Sequence, residues 1–322
     1  MGSKRSMAIG LLLSAVTVVA SADSALTLGD GKVASQPTTG QVYRCGRGGN
    51  GAPRMASGPW IQGSVWYPDR KPSVQGDVAW PQARVAIEVS GAERVISTAG
   101  VPNHSTGVFP IQTTDPVYRY DRNPNRIVVR EVLLRIPAQP VEASTPNCLT
   151  GGPIGYLVSG VALYDALDAN TDDAPAHEVQ DRCNGHPQRS GQYHYHNASP
   201  CLPDDAGKRG QHSDLVGYAA DGFGIFGLKG EGGIELANVD LDVCHGHVHT
   251  IAWDGKPTRM YHYHFTRAFP YSLGCFRGRP ARLGASERAE RGMEGGPGME
   301  TAPEFRPPPP GGPRPPRMPP PR

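Results

Sequence analysis

The tetrad Tyr-His-Tyr-His occurs twice in this chain, at residues 193–196 and 261–264. Each copy is preceded by an Asp-x-Cys-x-Gly-His segment, beginning at Asp181 and at Asp242, and each is followed by a cysteine. Imidazole can bind a metal ion or transfer a proton near neutral pH. Two histidine-rich frames in the same order therefore predict a metal site or an acid–base site built by internal duplication.

Alternation along a β-strand would place the histidines of each tetrad on one face. Residues two apart in a strand point to the same side, so His194 and His196 face one way and Tyr193 and Tyr195 the other. The same alternation applies to the second tetrad. A short loop after His186 would bring its imidazole beside the first pair.

The second copy allows a prediction of register. Asp254-Gly255 is typical of a two-residue hairpin turn, which would place His247 opposite His262. Pro257 disfavours a central strand at that point, so a four-residue loop with a shifted register also fits. In either register one face of the hairpin carries the histidines at positions 245, 247, 249, 262 and 264.

Two such hairpins packed face to face would bring six imidazoles into one pocket. Unliganded imidazoles packed this closely would lack hydrogen-bond partners and would repel one another when protonated, and a metal ion relieves both problems. Asp181 and Asp242 are expected to orient the ligands from behind. The predicted ligands are His186, His194, His196, His247, His262 and His264, with His245 as an additional candidate. The alternative is a set of structural histidines bonded to backbone carbonyls.

Three classes of function are compatible with such a pocket. The first is an exported metal-binding protein, and copper or zinc is the expected ion because imidazole suits both. The second is a metal-dependent hydrolase or oxidoreductase, in which Asp221 or His264 would move a proton. The third is a non-catalytic extracellular module that the disulfides and histidines stiffen. The sequence indicates no substrate and no protein partner.

The N-terminus has the pattern of a secretory signal peptide over residues 1–22. Lys4 and Arg5 precede an apolar run over residues 7–20, and small residues close the segment. The run is too short to span a bilayer comfortably, so no transmembrane segment is expected in the mature chain. We therefore predict a periplasmic or extracellular protein.

The six cysteines all lie after this segment, and an even number in an exported chain predicts disulfides. The duplicated frames favour two local pairs, which leaves a third: Cys183–Cys201, Cys244–Cys275 and Cys45–Cys148. Zinc-bound thiolates are the competing interpretation, although the paired Cys-x-x-Cys spacing of zinc ribbons is missing.

The remaining chain predicts a mainly β fold of short strands and hairpins with long loops. Strand patterns cover residues 84–89, 126–136, 160–164 and 222–226, and a helical turn is expected near 174–180. Residues 23–140 would form an N-terminal β region, which could be a layer of the same domain as residues 141–278. Residues 279–322 are rich in proline and arginine and predict a disordered tail. The folded part is mildly acidic and lacks a basic patch with interleaved aromatics, so no nucleic-acid groove is expected.

Residues 151–278 resemble the YHYH-domain proteins. Besides the tetrads, the resemblance includes Gly152-Pro153-Ile154-Gly155 and the segments 159–164, 221–227 and 269–278, although the family more often has Asn at the position of Ser159. Upstream, residues 100–104 are similar to the family's Gly-x-Pro-x-His segment, which adds His104 as a candidate ligand. The resemblance implies an exported protein and indicates no activity.

Overall fold

The computed structural model describes residues 24–46, 58–202 and 210–282. It confirms a mainly β fold, with one short α-helix, α1 (Ala174–His177), inside the expected helical turn. The strands are β1 (Leu26–Thr27), β2 (Val33–Ala34), β3 (Val42–Tyr43), β4 (Ile61–Gln62), β5 (Val65–Trp66), β6 (Val85–Ser90), β7 (Glu93–Thr98), β8 (Val132–Pro137), β9 (Glu142–Asn147), β10 (Pro153–Leu157), β11 (Ala162–Tyr164), β12 (Gly185–Pro187), β13 (Tyr193–Tyr195), β14 (Leu215–Ala219), β15 (Gly224–Phe226), β16 (Gly246–Trp253), β17 (Lys256–His264) and β18 (Phe276–Gly278).

The largest sheet of the described residues has eight strands in the order β12-β13-β11-β10-β14-β15-β17-β16. The two central strands, β10 and β14, pair antiparallel, with Tyr156 opposite Tyr218. From this pair outwards, successive strands pair in the same order on both sides: antiparallel, then parallel, then antiparallel. The sheet therefore has an approximate twofold axis at its centre, and each half ends in one histidine-bearing ribbon.

Equivalent glycines form the tight connections that precede β11 and β15. Gly160 has φ +86° and Gly222 has φ +92°, a region that side chains other than glycine's rarely adopt. A Cβ at Gly160 would lie 2.6 Å from the Thr98 hydroxyl, and one at Gly222 would lie 2.5 Å from the Pro137 carbonyl oxygen. Both turns thus require glycine for backbone conformation and for space.

The two faces of the large sheet are covered differently. The sheet β6-β7-β8 packs across the middle of one face, where Ile96, Leu134 and Ile136 form a cluster with Tyr156 and Tyr218. The tyrosines of both tetrads instead belong to the main core, together with Trp60 and Trp66 from the N-terminal segments. The predicted N-terminal β region therefore shares a hydrophobic core with the tetrads.

All three predicted disulfides are present, linking Cys45 to Cys148, Cys183 to Cys201 and Cys244 to Cys275. Each of the last two bridges lies within its own half of the duplication. The zinc-thiolate alternative is therefore wrong for these six cysteines.

One strand prediction was too long. The pattern over residues 126–136 gives regular pairing only from Val132 onwards. Upstream of it, the Val128 and Arg130 amides bond to the Gly191 and Ala99 carbonyl oxygens, so this stretch is extended without joining a ladder. No helix of the described residues is long and apolar enough to cross a membrane. The predicted signal peptide and the predicted tail lie outside the described residues, apart from the first positions of the tail.

Candidate metal centres

The first ribbon brings three imidazoles together at one edge of the large sheet. In the antiparallel pair β12–β13, His186 lies opposite His194, as the loop after His186 predicted. The Nε2 atoms of His194 and His196 are 3.1 Å apart, and the rings of His186 and His194 lie 4.5 Å apart between centroids. All three side chains are nearly fully buried.

A carboxylate completes this cluster. Glu178 directly follows α1, and its Oε2 atom lies 3.3 Å from Nε2 of His186 and 3.3 Å from Nε2 of His196. These ion-pair contacts are the ones that the Glu178 oxygen makes, and Nδ1 of His186 is buried without a hydrogen-bond partner among the described residues. Buried polar atoms seldom lack partners, so the packing of this ring leaves one hydrogen-bonding requirement unmet.

Three separations among these side chains are those expected around a single ion, and potential ligand atoms of His186, His194 and His196 all lie within 4.8 Å of one another. Ligands about 2.0–2.2 Å from a tetrahedral zinc ion lie about 3.3 Å from one another. The separations of 3.1 and 3.3 Å within this cluster match that edge length. The residues present therefore fit a small divalent transition-metal ion.

The charge balance of the cluster also suits a cation. Burial would raise the pKa of Glu178, but the His186 and His196 imidazoles hold that pKa well below its usual range. Burial lowers the pKa of His194 well below the usual value, which keeps its imidazole neutral. Burial opposes protonation of His196 as well, but the Glu178 carboxylate raises its pKa overall. The carboxylate and the neutral His194 imidazole are in the forms that bind metals, whereas a metal ion would have to displace the proton that Glu178 favours on His196.

Backbone carbonyls orient these rings. The Nδ1 atom of His194 lies 3.2 Å from the Gln192 oxygen, and that of His196 lies 2.5 Å from the Asp165 oxygen. With these N–H groups donating to carbonyls, each Nε2 lone pair points into the cluster.

The hydrogen bonds of the two frame aspartates lie on the tyrosine face of each ribbon, and their role in orienting ligands stays a prediction. Asp181 accepts hydrogen bonds from the Tyr193 hydroxyl and from the backbone amides of residues 183 and 185, and Asp242 accepts one from the Tyr261 hydroxyl. Tyrosines and histidines alternate along the strand, so both aspartates lie behind the imidazoles and fix the ribbon.

The first cluster opens into a cavity of about 670 Å³. Tyr164 lines this cavity beside the ligands, with its ring 4.0 Å from that of His194 between centroids. Charged side chains also line the cavity: Arg44, Asp121, Arg122, Asp165, Asp168 and Arg189. The centre is therefore accessible to a small molecule.

The second ribbon, β16–β17, has the two-residue turn and the register that Asp254-Gly255 predicted, with His247 opposite His262. The Nε2 atoms of these two residues are 3.1 Å apart, and Nε2 of His212 lies 3.3 Å from Nε2 of His262. His249 adds a fourth imidazole, stacked on His212 with ring centroids 4.9 Å apart. Four potential ligand atoms lie within 4.8 Å of one another here.

The prediction of one common pocket is wrong. The ribbons occupy opposite ends of the large sheet, with β11, β10, β14 and β15 between them. At about 4.8 Å for each strand-to-strand step, β13 and β17 are roughly 24 Å apart. Because the twofold axis runs through the centre of the sheet, the two ribbons lie at its opposite edges. The six expected ligands thus divide into two separate triads.

Residues 133–239 match the model of a family described as YHYH protein. The chain contains a YHYH domain. The match confirms the resemblance; it begins in β8, upstream of the expected start at residue 151, and ends before the second tetrad. The chain matches no curated protein and no solved structure.

Two additional candidate ligands lie elsewhere in the structure. His104, upstream of the matched part of the YHYH domain, contacts the tyrosine face, with Nε2 2.6 Å from the Tyr195 hydroxyl. Its neighbours Cys183 and Cys201 form a disulfide and are not available as ligands. His245 has φ +75°, which turns it away from the face that carries His247, and its Nε2 bonds to the Thr266 hydroxyl at 3.0 Å.

The two candidate proton carriers of the YHYH domain differ in position. Asp221 lies on the tyrosine face, where it accepts hydrogen bonds from the Tyr263 hydroxyl and the Gly278 amide, and burial raises its pKa to about 6. His264 belongs to the second ribbon, with Nδ1 2.7 Å from the Gly227 oxygen. Burial lowers the pKa of His264 to about 2.

Sequence reasoning missed Glu178 and His212, and it placed His249 on the histidine face without making it a ligand. His212 lies just before β14 and outside both Asp-x-Cys frames, so the duplicated frames do not predict it. No pattern marks Glu178 either, because it reaches the ribbon from the loop that follows α1.

Proposed function

We propose that this chain is an exported protein that holds one divalent transition-metal ion at the first ribbon. The ligands are His186, His194, His196 and Glu178. The observation that carries the proposal is the approach of the His194 and His196 Nε2 atoms to 3.1 Å, together with the contacts of the His186 and His196 Nε2 atoms with the Glu178 carboxylate at 3.3 Å.

Zinc is the ion that these ligands favour. Three imidazoles and one carboxylate are a common donor set for zinc, and the separations fit a tetrahedral arrangement. Copper(II) prefers a tetragonal arrangement of nitrogen and oxygen ligands, which makes it the second choice at this ribbon. The carboxylate would also neutralise half of the ion's charge in a buried setting.

Export rests on two features. Three disulfides are typical of proteins in an oxidising compartment, and residues 1–22 have the composition of a secretory signal. Detection of mature protein beginning at Asp23 in the periplasm or the medium would support export, and an intact N-terminus on cytoplasmic protein would refute it.

Metal binding can be tested by reconstitution. Apo-protein is titrated with zinc and analysed by calorimetry and elemental analysis. The double variant Glu178→Gln/His194→Ala is expected to take up one ion fewer per chain than the wild type. His104→Gln is the matched control, since His104 packs on the opposite face of the same ribbon. Equal uptake by the wild type and the double variant would contradict the proposal.

The cavity beside the ligands favours a second candidate, a metal-dependent hydrolase. A zinc ion at this site would supply Lewis acidity and an activated water. Arg122 and Arg189 line the cavity and would bind a negatively charged group of a substrate, whereas Asp121 and Asp168 line it as well. Burial raises the pKa of Tyr164 to about 12, so its hydroxyl stays protonated, and it donates its hydrogen bond to the Gln192 side-chain oxygen at 2.7 Å.

This candidate is tested with aryl phosphodiesters and aryl esters as substrates. Turnover that requires zinc and is lost in Glu178→Gln would support a hydrolase. Arg189→Gln should then raise KM with little change in kcat, as expected for loss of a binding charge. Tight zinc binding without turnover of either class would leave the metal-binding function alone.

A further inference from the structure

We propose that the second ribbon is a separate copper(II) site, built from His212, His247, His249 and His262. This inference goes beyond the function proposed above, which concerns the first ribbon only. The two sites lie at opposite ends of the sheet, and each can be tested while the other is intact.

In the second site, two imidazole nitrogens approach the same nitrogen of a third imidazole. His262 is the central residue, since its Nε2 lies 3.1 Å from that of His247 and 3.3 Å from that of His212. His249 stacks on His212, and its Nε2 pairs with Glu231 at 2.8 Å. His262 is buried and the other three are half-buried, so the site faces solvent on one side.

Unsatisfied atoms supply a second observation. Nε2 of His264 is buried and has no hydrogen-bond partner among the described residues, and the same holds for Nδ1 of His249. The His264 ring lies 4.8 Å from that of His212 and 5.0 Å from that of His247 between centroids. A buried ring nitrogen left without a partner is costly, and an ion beside it would remove that cost.

Comparison of the two halves shows that the sites have diverged. His247 and His262 form the same cross-strand pair as His186 and His194. The residue two positions after His186 is glutamine, whereas the residue two positions after His247 is His249.

The fourth donor differs in the same way. Glu178 lies three residues before the first Asp-x-Cys frame. The corresponding residue before the second frame is Val239, which is 91% exposed and has no side-chain atom that could bind a metal. The first site therefore has a largely buried carboxylate, whereas the carboxylate that pairs with His249 at the second site, Glu231, has a side chain that is 74% exposed.

This difference predicts which ion each site selects. The four imidazoles give copper(II) four nitrogen ligands, and copper(II) binds nitrogen ligands more tightly than zinc does in the usual order of affinities. A carboxylate at the first site lowers that advantage and suits the tetrahedral ion. The chain is thus expected to hold two ions of different kinds.

The test is copper titration of the full apo-protein, followed by electron paramagnetic resonance. In the wild type the first equivalent should give a spectrum with nitrogen hyperfine structure. The double variant His212→Gln/His249→Gln should weaken this copper binding at least ~10-fold, since even outer partners of ligands change affinity by that much. Both side chains are half-buried, so glutamine is expected to leave the fold intact, which circular dichroism checks.

The matched comparison is Glu178→Gln/His194→Ala, which should leave the copper spectrum unchanged. Loss of the spectrum in this variant, and not in His212→Gln/His249→Gln, would overturn the proposal. So would a wild-type chain that binds copper with a carboxylate-type spectrum. If the first-ribbon variant loses no zinc while the second-ribbon variant loses copper, only the function proposed for the first ribbon fails.

Discussion

His245 provides a direct test of how a buried imidazole controls stability. Its side chain is buried, its Nε2 bonds to the Thr266 hydroxyl, and burial lowers its pKa to about 3. The residue has φ +75°, and Asn184 occupies the corresponding place in the first half with φ +60°. Asparagine tolerates this backbone conformation well, so His245→Asn removes the titrating group without straining the turn.

The magnitude follows from the two pKa values. The ordinary imidazole pKa is 6.5, and the value in the folded protein is about 3. Below pH 6.5 the unfolded chain binds a proton that the folded chain does not, so stability is fully present above pH 6.5 and declines as the pH falls towards 3. At pH 4.5, two units below the unfolded value, the loss is about 3 kcal/mol.

The difference in stability between His245→Asn and the wild type should therefore change sign between pH 7.5 and pH 4.5. Near pH 7.5 it should be about 1–2 kcal/mol less stable than the wild type, because it lacks the bond to Thr266 and some side-chain volume. At pH 4.5 the variant should be the more stable of the two, because it avoids the cost of about 3 kcal/mol.

The measurement is urea unfolding of apo-protein in chelator, with free energies extrapolated at several pH values. The control is Thr266→Val, which removes the hydrogen bond but keeps the buried imidazole, so its offset from the wild type should change little with pH. A constant difference between His245→Asn and the wild type from pH 7.5 to 4.5 would refute the argument.

Three more predictions concern the ribbons. Gly246→Ala should destabilise the second ribbon by about 1–3 kcal/mol in chemical unfolding, since the new Cβ would lie 2.4 Å from the His262 carbonyl oxygen; an unchanged midpoint would contradict this. Replacing Cys244 and Cys275 by alanine opens a loop of 31 residues and should cost about 3–4 kcal/mol, measured by thermal unfolding against the wild type with its disulfides intact. Zinc at 100 times its dissociation constant should stabilise the wild type by about 2.7 kcal/mol in a thermal shift assay, and His194→Ala should abolish most of that gain at the first ribbon.

Local structure was largely predictable from the sequence. The Asp254-Gly255 turn set the register of His247 against His262, and the duplicated frames selected all three disulfides. These features depend on turn chemistry and on short separations along the chain, which are visible in the residues themselves.

The relative position of the ribbons was not predictable in the same way. It depends on β10 pairing with β14, a contact between segments about 60 residues apart that no turn motif specifies. Glu178 was missed for a related reason, since its approach to His186 and His196 is set by the packing of α1 rather than by the ribbon's own alternation.

The approximate twofold axis at Tyr156 and Tyr218 has an evolutionary consequence. Each margin of the sheet has its own disulfide and its own aspartate–tyrosine contact, so a substitution that harms one margin leaves the local scaffold of the other in place. Each half can therefore change the side chains on its histidine-bearing face without weakening the fold of the other half.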